Sequence, residues 1–368
     1  MIQRFEIENY RGFSERLVFD LTSRDYSFNT HITKNGLVNK AIIYGKNGVG
    51  KSALGLALFD IISHLTDKNR IYKLNYRNLN HPDNPVAFKY FFRFSSDEVI
   101  YEYEKQEQDY LLHEKLTVNS KVLIDYNYFS DIESERFVSP EIKGNLNIDL
   151  IDNKLSVLKY IYRNTPTNNN SPLTKIIQFC EGMLWYRSLS EGNSYMGYTI
   201  GVEDLTEIIY KSGSLTRFES FLQENGLDYN LEFKSENGMH ILYAYFNDRK
   251  SKAPFTSIAS TGTMSLLLFF AWSTLAFKNV TFLFIDEFDA FFHYESAELI
   301  VRLLNKYTNF QSILTTHNTY LMQNRLTRPD CCFLMTHDRI ANLYDSTDRE
   351  IREAHNLEKM YINGAFIE

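Results

Sequence analysis

Residues 41–52 read AIIYGKNGVGKS. An apolar run (Ala41, Ile42, Ile43, Tyr44) leads into Gly45, Lys46, Asn47, Gly48, Val49, Gly50, Lys51 and Ser52. The spacing is Gly, four residues, then Gly-Lys-Ser, which requires a strand to end and a helix to begin at this point. Its glycines let backbone N–H groups turn toward one point and cradle phosphate oxygens. In that geometry Lys51 reaches the β- and γ-phosphates and Ser52 places its hydroxyl on Mg²⁺. Leu54, Leu58, Ile61 and Leu65 follow at helical spacing, so the loop does open a helix.

Upstream, Phe5 and Ile7 alternate with Arg4, Glu6 and Glu8 as a half-buried strand. Tyr10-Arg11-Gly12-Phe13 makes a turn, and Leu17, Phe19 and Leu21 form a second strand. Downstream, Val86–Phe94 and Val99–Tyr103 read as a hairpin, and strands flanking Asn119-Ser120 as another. Together they predict an antiparallel sheet beside the nucleotide core. Residues 127–235 read mostly as helices, with a polar, turn-rich segment at Asn164–Pro172, and neither a sustained heptad pattern nor an internal repeat occurs. From residue 236 onward strands and helices alternate, as in a mostly parallel sheet with helices on its faces. The expected organisation is therefore α/β. Residues 1–126 give the first half of the core and the β lobe, 127–235 a helical insert, and 236–368 the second half.

Thr281–Asp289, TFLFIDEFD, is a second motif. Phe282–Ile285 is apolar on both faces, and Asp286 and Glu287 stand at the carboxyl end, where an α/β sheet holds its ligands. Asp286 is the candidate Mg²⁺ ligand, and Glu287 the candidate base for an attacking water. One helix and one strand later, Thr315-Thr316-His317-Asn318 places His317 at a neighbouring strand tip, where an imidazole can meet a γ-phosphate. Ser260-Thr261-Gly262-Thr263 opens an apolar helix. Such a turn caps the helix and equally suits an anion, and spacing does not separate the two.

The chain has 368 residues, formal net charge −7 and 44% hydrophobic residues. That is enough for an ordinary core and argues against a surface coated for nucleic acid. Cys180, Cys331 and Cys332 lack metal-ligand spacing and read as small apolar filler in a reducing compartment. The apolar run Leu266–Phe277 is too short for a membrane span, and the first residues pattern as a strand rather than a leader. A cytoplasmic protein is expected.

The ordered set GKNGVGKS, STGT, FLFIDEFD and TTHN resembles the ATP-binding-cassette ATPases, in their SMC/Rad50/OLD-like branch. The opening FEIENYRGF, with Arg11, is similar to the start of those proteins. The resemblance implies Walker A at Gly45–Ser52, a signature turn at Ser260–Thr263, and Walker B ending at Asp286. It further implies Glu287 as catalytic base, Asp289 in the D-loop and His317 as switch. No Q-loop glutamine is found; His81–Pro85 stands where one would be expected. Over nearly the whole chain, the segments LTRPD (326–330), HNLEKMY (355–361) and GAF (364–366) resemble AAA15-type abortive-infection, RloA-like ATPases, related to the ATPase of PARIS anti-phage systems. This implies a slow ATPase using ATP and Mg²⁺. It implies a homodimer, or a higher oligomer of such dimers, with a separately encoded effector such as a nuclease or toxin and a phage-derived trigger. A DNA-repair ATPase and a non-hydrolysing scaffold that sequesters a toxin stay open as alternatives. A small-molecule kinase is disfavoured by the STGT turn and the late His317.

Overall fold

The computed structural model describes residues 1–69, 71, 75–148, 151–166, 168–187, 194–200 and 204–366. The chain begins with β1 (Ile2–Glu8) and β2 (Leu17–Asp20), then a small hairpin of β3 (Thr33–Lys34) and β4 (Leu37–Val38). β5 (Lys40–Tyr44) feeds the glycine-rich loop, and α1 (Lys51–Leu58) and α2 (Ile62–Leu65) follow. Four long strands come next: β6 (Val86–Phe94), β7 (Asp97–Glu107), β8 (Tyr110–Val118) and β9 (Lys121–Asn127). A short β10 (Arg136–Val138) and the helices α3 (Pro140–Lys143), α4 (Val157–Asn164) and α5 (Pro172–Glu181) lead to β11 (Met183–Arg187) and β12 (Tyr195–Gly197). Then come α6 (Leu205–Lys211), α7 (Leu215–Glu224) and the strands β13 (Asn230–Glu236), β14 (Met239–Phe246) and β15 (Ser251–Pro254). The last part holds α8 (Phe255–Ile258), α9 (Thr261–Leu275), β16 (Phe282–Asp286), α10 (Tyr294–Asn305), β17 (Gln311–Thr316), β18 (Cys332–Met335), β19 (Ile340–Asn342) and α11 (Leu357–Ile362).

Two seven-stranded sheets carry the fold. The core sheet has the order β12-β11-β16-β17-β5-β18-β19, with β11, β16, β17, β5 and β18 parallel. Its strands are buried on both faces, and their residues divide by parity. Ala41, Ile43, Phe282 and Phe284 face one apolar cluster, whereas Ile42, Tyr44, Leu283 and Ile285 face the other. Cys331 and Cys332 divide in the same way, both buried. The second sheet, β10-β9-β8-β7-β6-β1-β2, is antiparallel. Left-handed Asn119 and Ser120 make the tight turn between β8 and β9.

The expected combination of a mostly parallel core sheet and an antiparallel β lobe is thus observed. Residues 127–235 supply the expected helices α4–α7, together with strands that the helical periodicity did not predict. Among these strands, β11 pairs in parallel with β16 inside the core sheet. Its sequence MLWYR is a short apolar run, and periodicity alone cannot tell such a run from a buried helical segment. Of the polar segment 164–172, Thr167 lies outside the described residues.

The two sheets are tied at specific points. Gln311, buried at the start of β17, accepts the Ile2 N–H at 2.9 Å and donates to the carbonyls of Ile2 and Val38. One amide side chain thereby satisfies backbone groups of two segments where no ladder continues. The tyrosine stripe of the antiparallel sheet covers the far end of α1. Tyr90 Oη contacts the Ala57 and Leu58 carbonyls in the last turn of α1, where the Ala57 carbonyl also accepts the Asp60 N–H. Asp60, just beyond, accepts hydrogen bonds from Tyr76, Tyr103 and Lys105, and the Lys105–Asp60 pair at 2.7 Å is buried. The helix that begins at the glycine-rich loop is therefore anchored at its other end by a satisfied polar cluster.

Lys40, the first residue of β5, is buried and donates to the Phe310 carbonyl at 2.7 Å. Burial, with a smaller contribution from Lys34, lowers its pKa to about 7. Because the folded value lies below the unfolded one, the unfolded chain binds the extra proton above pH 7, and this group makes stability rise with pH toward 10.5. Urea unfolding of the wild type and Lys40→Met at pH about 7 and about 10 should show the difference moving in favour of the wild type at the higher pH. A difference independent of pH would mean that Lys40 stays charged in the fold.

Candidate nucleotide site

Parallel pairing brings the motifs to one edge. β5 pairs with β17 so that Tyr44 lies beside Thr316, and β17 pairs with β16 so that Leu314 lies beside Ile285. The chain therefore leaves the glycine-rich loop, Asp286-Glu287 and His317 on consecutive strand tips. Gly50 caps α1 with φ 105°, a conformation that side chains avoid. A Cβ there would meet Phe13 Cε1 at 2.7 Å, so the turn carrying Arg11 packs directly on the loop. Arg11 itself has φ 50°, donates its N–H to the Tyr76 carbonyl and accepts from Asn78 Nδ2. Lys46, Asn47 and Gly48 are exposed on the loop, whereas Val49 is buried beneath it.

Lys51 is folded back onto its own loop. Its ammonium donates to the carbonyls of Gly45 (2.7 Å) and Lys46 (3.0 Å) and lies 3.2 Å from His317 Nδ1. An ammonium has only donors, so Nδ1 accepts and the neutral ring carries its proton on Nε2. Burial lowers the Lys51 pKa, against the opposing pull of Asp286 and Glu287.

Asp286 has no exposed surface. Thr315 Oγ1 donates to its Oδ1 at 2.7 Å, and Oδ2 has no hydrogen-bond partner. Burial raises its pKa, and the nearby Ser52 and Thr315 hydroxyls and the charge of Arg187 work in the other direction. The same Thr315 hydroxyl accepts the Glu287 N–H at 2.7 Å, holding Glu287 at φ 48°. Thr316 Oγ1 donates to Asp289 Oδ2 at 2.8 Å. The two threonines before His317 thus fix the positions of Asp286, Glu287 and Asp289.

Arg187, at the end of β11, was not picked out in the sequence. It lies beside Asp286 in the strand register; its Nη2 is 2.7 Å from Glu287 Oε2 and its Nε 3.5 Å from Asp286 Oδ2. The missing signal was the strand itself, which an apolar pentapeptide among helices did not declare. His81–Pro85, the region expected to hold a Q-loop, lies elsewhere: Asn9 Nδ2 donates to the carbonyls of His81, Asn84 and Pro85 on the β1 side of the molecule. The strand beside Asp286 ends in an arginine instead.

Ser260 is the N-cap of α9, its Oγ accepting the Thr263 N–H at 3.2 Å. Ser260 and Thr261 are exposed. A Cβ on Gly262 would meet the Phe291 carbonyl at 2.8 Å, so this turn sits against the loop after Asp289. The structure brings Lys51, Ser52, Asp286, Glu287 and His317 together, and leaves Ser260 and Thr261 exposed, the Ser260 hydroxyl being engaged with Thr263.

The family model described as "AAA domain, putative AbiEii toxin, Type IV TA system" matches residues 40–323, from the first residue of β5 to just past His317. The chain belongs to this family. A search of curated proteins found no match. Among solved structures, the chain is similar to the SMC head domain from Thermotoga maritima, at 14% identity over 93% of this chain and 98% of that one, with a TM-score of 0.43. It is similar to an SmcHead bound to the C-winged helix domain of ScpA, at 14% identity over 93% and 97%, TM-score 0.45. A third is an Smc head domain with an extended coiled coil bound to the C-terminal domain of ScpA derived from Pyrococcus furiosus, at 12% identity over 94% and 97%, TM-score 0.43. Among the described residues, no helix is long and apolar enough to cross a membrane.

Thr315→Val keeps the shape of the side chain and removes both bonds of its hydroxyl. It should lower unfolding free energy by about 2 kcal/mol, because a buried carboxylate and an N–H lose their partner. Thr315→Ser should recover most of the loss in the same denaturant titration.

Proposed function

We propose that this chain binds ATP·Mg²⁺ and hydrolyses the γ-phosphate slowly, as an ATPase of the ATP-binding-cassette type. The observation that carries the reading is the meeting of Lys51, Ser52, Asp286, Glu287 and His317 on adjacent parallel strand tips, with Lys51 and His317 3.2 Å apart. Asp286 Oδ2 is a buried carboxylate oxygen without a hydrogen-bond partner, and Ser52 is near enough to favour the charged form of the same carboxylate. An oxygen of that kind beside a hydroxyl suits Mg²⁺, which takes few protein ligands and keeps its waters. Bound there, the metal would neutralise charge on the β- and γ-phosphates.

The protein groups divide the remaining work. Backbone N–H groups of residues 45–51 cradle the phosphates, and Lys51 exchanges loop carbonyls for phosphate oxygens at little cost in desolvation, since the residue is already buried. His317, with its proton on Nε2, offers a donor to the γ-phosphate. Glu287 accepts the proton of the attacking water. The exposed Ser260-Thr261-Gly262 turn would close over the γ-phosphate of a second copy, with Arg11 and Asp289 lining the joint, giving two composite sites in a head-to-tail dimer. ATP favours the closed pair because it touches both subunits there. The biological reading is an intracellular sensor or regulator in an AAA15-like, abortive-infection setting, with a separately encoded effector. The toxin–antitoxin wording of the family description is in keeping with that setting.

A second reading, an ATP-dependent scaffold with negligible turnover, is favoured by one observation: the carboxylate of Glu287 is occupied by an ion pair with Arg187 instead of standing open to a water. Glu287→Gln separates the two. If the chain is an ATPase, the variant should bind ATP like the wild type and release phosphate at least about 100-fold more slowly. Equal phosphate release by both would remove Glu287 as the base, and undetectable release by the wild type with intact ATP binding would favour the scaffold.

A further inference from the structure

In this structure the two cations at the site rest on internal acceptors. Lys51 uses its N–H groups on the Gly45 and Lys46 carbonyls and on His317. Arg187 rests on the two carboxylates that follow each other at the end of β16. The Arg187 arrangement is incomplete. Nη2 makes a close pair with Glu287 at 2.7 Å, but Nε stands 3.5 Å from Asp286 Oδ2, and both of those atoms lack a hydrogen-bond partner. A planar guanidinium with two carboxylates in reach normally forms parallel bonds to one of them. Here it is divided between two, close to one and short of the other. The Arg187 side chain is 31% exposed, so part of the guanidinium reaches solvent from this position while Nε is buried.

We propose that Arg187 is an exchangeable cation: it pairs with Glu287 and Asp286 in the nucleotide-free chain and moves to the γ-phosphate when ATP·Mg²⁺ binds. The inference rests on the nucleotide-site reading above. Three physical points support it. A divalent cation at Asp286 takes over the charge compensation that Arg187 supplies and repels the guanidinium. The γ-phosphate brings new negative charge next to Glu287, within the swing of an arginine side chain. An arginine matches phosphate oxygens in a bidentate fork as well as it matches a carboxylate. The exchange has a consequence for the base: Glu287 is released from its ion pair only when a γ-phosphate is present to receive the arginine. ADP, lacking that phosphate, leaves Glu287 paired. Arg187 would thus distinguish ATP from ADP and couple that distinction to the freeing of Glu287.

The rival role is a structural counter-ion that merely relieves repulsion between Asp286 and Glu287. The two separate in a Glu287→Gln background, where the carboxylate that Arg187 holds most closely is gone and hydrolysis does not deplete the ligand. ATP and ADP affinities, each with Mg²⁺, are measured by calorimetry for Glu287→Gln and for Glu287→Gln with Arg187→Ala. The exchange predicts that removing Arg187 weakens ATP by about 10-fold or more and leaves ADP within about 2-fold, the loss of a charge-assisted contact made only to the γ-phosphate. Glu287→Gln with Arg187→Lys keeps the charge, and should retain part of the ATP preference even if the alanine variant folds poorly. Equal affinities with and without Arg187, or equal losses for ATP and ADP in both the alanine and lysine variants, would overturn the proposal. Failure of Glu287→Gln alone to bind either nucleotide would overturn the nucleotide site itself, and the role of Arg187 with it.

Discussion

A carboxylate with no exposed surface, Asp286, ends a strand that is buried on both faces. Withdrawing such a group from water is costly unless hydrogen bonds and opposite charge surround it. The neighbouring elements answer that demand. Thr315 comes from β17 and donates a hydrogen bond, Arg187 comes from the end of β11 with its charge, and Ser52, in the first turn of α1, is near enough to favour the charged form. Each comes from a different element of the fold, so satisfying this one side chain fixes the relation of two flanking strands and of the helix that opens at the glycine-rich loop. One oxygen is left over, and it lies where the proposed metal would bind.

The rest of the molecule holds that arrangement in place. Phe13 packs on Gly50 from the β1–β2 turn, and the Asp60 cluster clamps the far end of α1. Gln311 joins the amino end of β1 to the start of β17. The antiparallel sheet therefore braces the loop and helix at both ends, and movement of that sheet against the core would be felt at Lys51. On the other side, the Ser260 turn lies against the loop after Asp289. This places the surface proposed for a second copy in contact with the segment that leads away from Glu287.

Much of this was readable from local pattern. The glycine-rich loop, the apolar strand ending in Asp286-Glu287 and the threonine pair before His317 are short contiguous motifs, and strand parity in β5 and β16 follows from side chains alternating across a pleat. The hairpins around Ser95 and Asn119 announced themselves through turn residues. β11 did not. MLWYR lies between helices, offers no alternation, and becomes a strand because an open edge of β16 is there to receive it. Arg187 was invisible for the same reason: nothing in sequence connects residue 187 with residues 286 and 287 except the parallel register between their strands. His81–Pro85, which stands where a Q-loop would be expected but has no glutamine, was likewise placed only by order along the chain, and its carbonyls serve Asn9.

The sequence by itself determined the elements whose conformation depends on near neighbours: a loop that only glycines can turn, strands apolar on both faces, and a helix opened by the Ser260–Thr263 turn. It also determined which residue types were available for phosphate and metal. Tertiary structure decided which of them meet. It placed His317 on the Lys51 ammonium, drew Thr315 between Asp286 and Glu287, and brought an arginine from a hundred residues upstream, roughly, onto both carboxylates. The physical reason is that a buried charge is compensated by whatever lies within a few ångströms, and distance in space is set by strand order, which no local periodicity encodes.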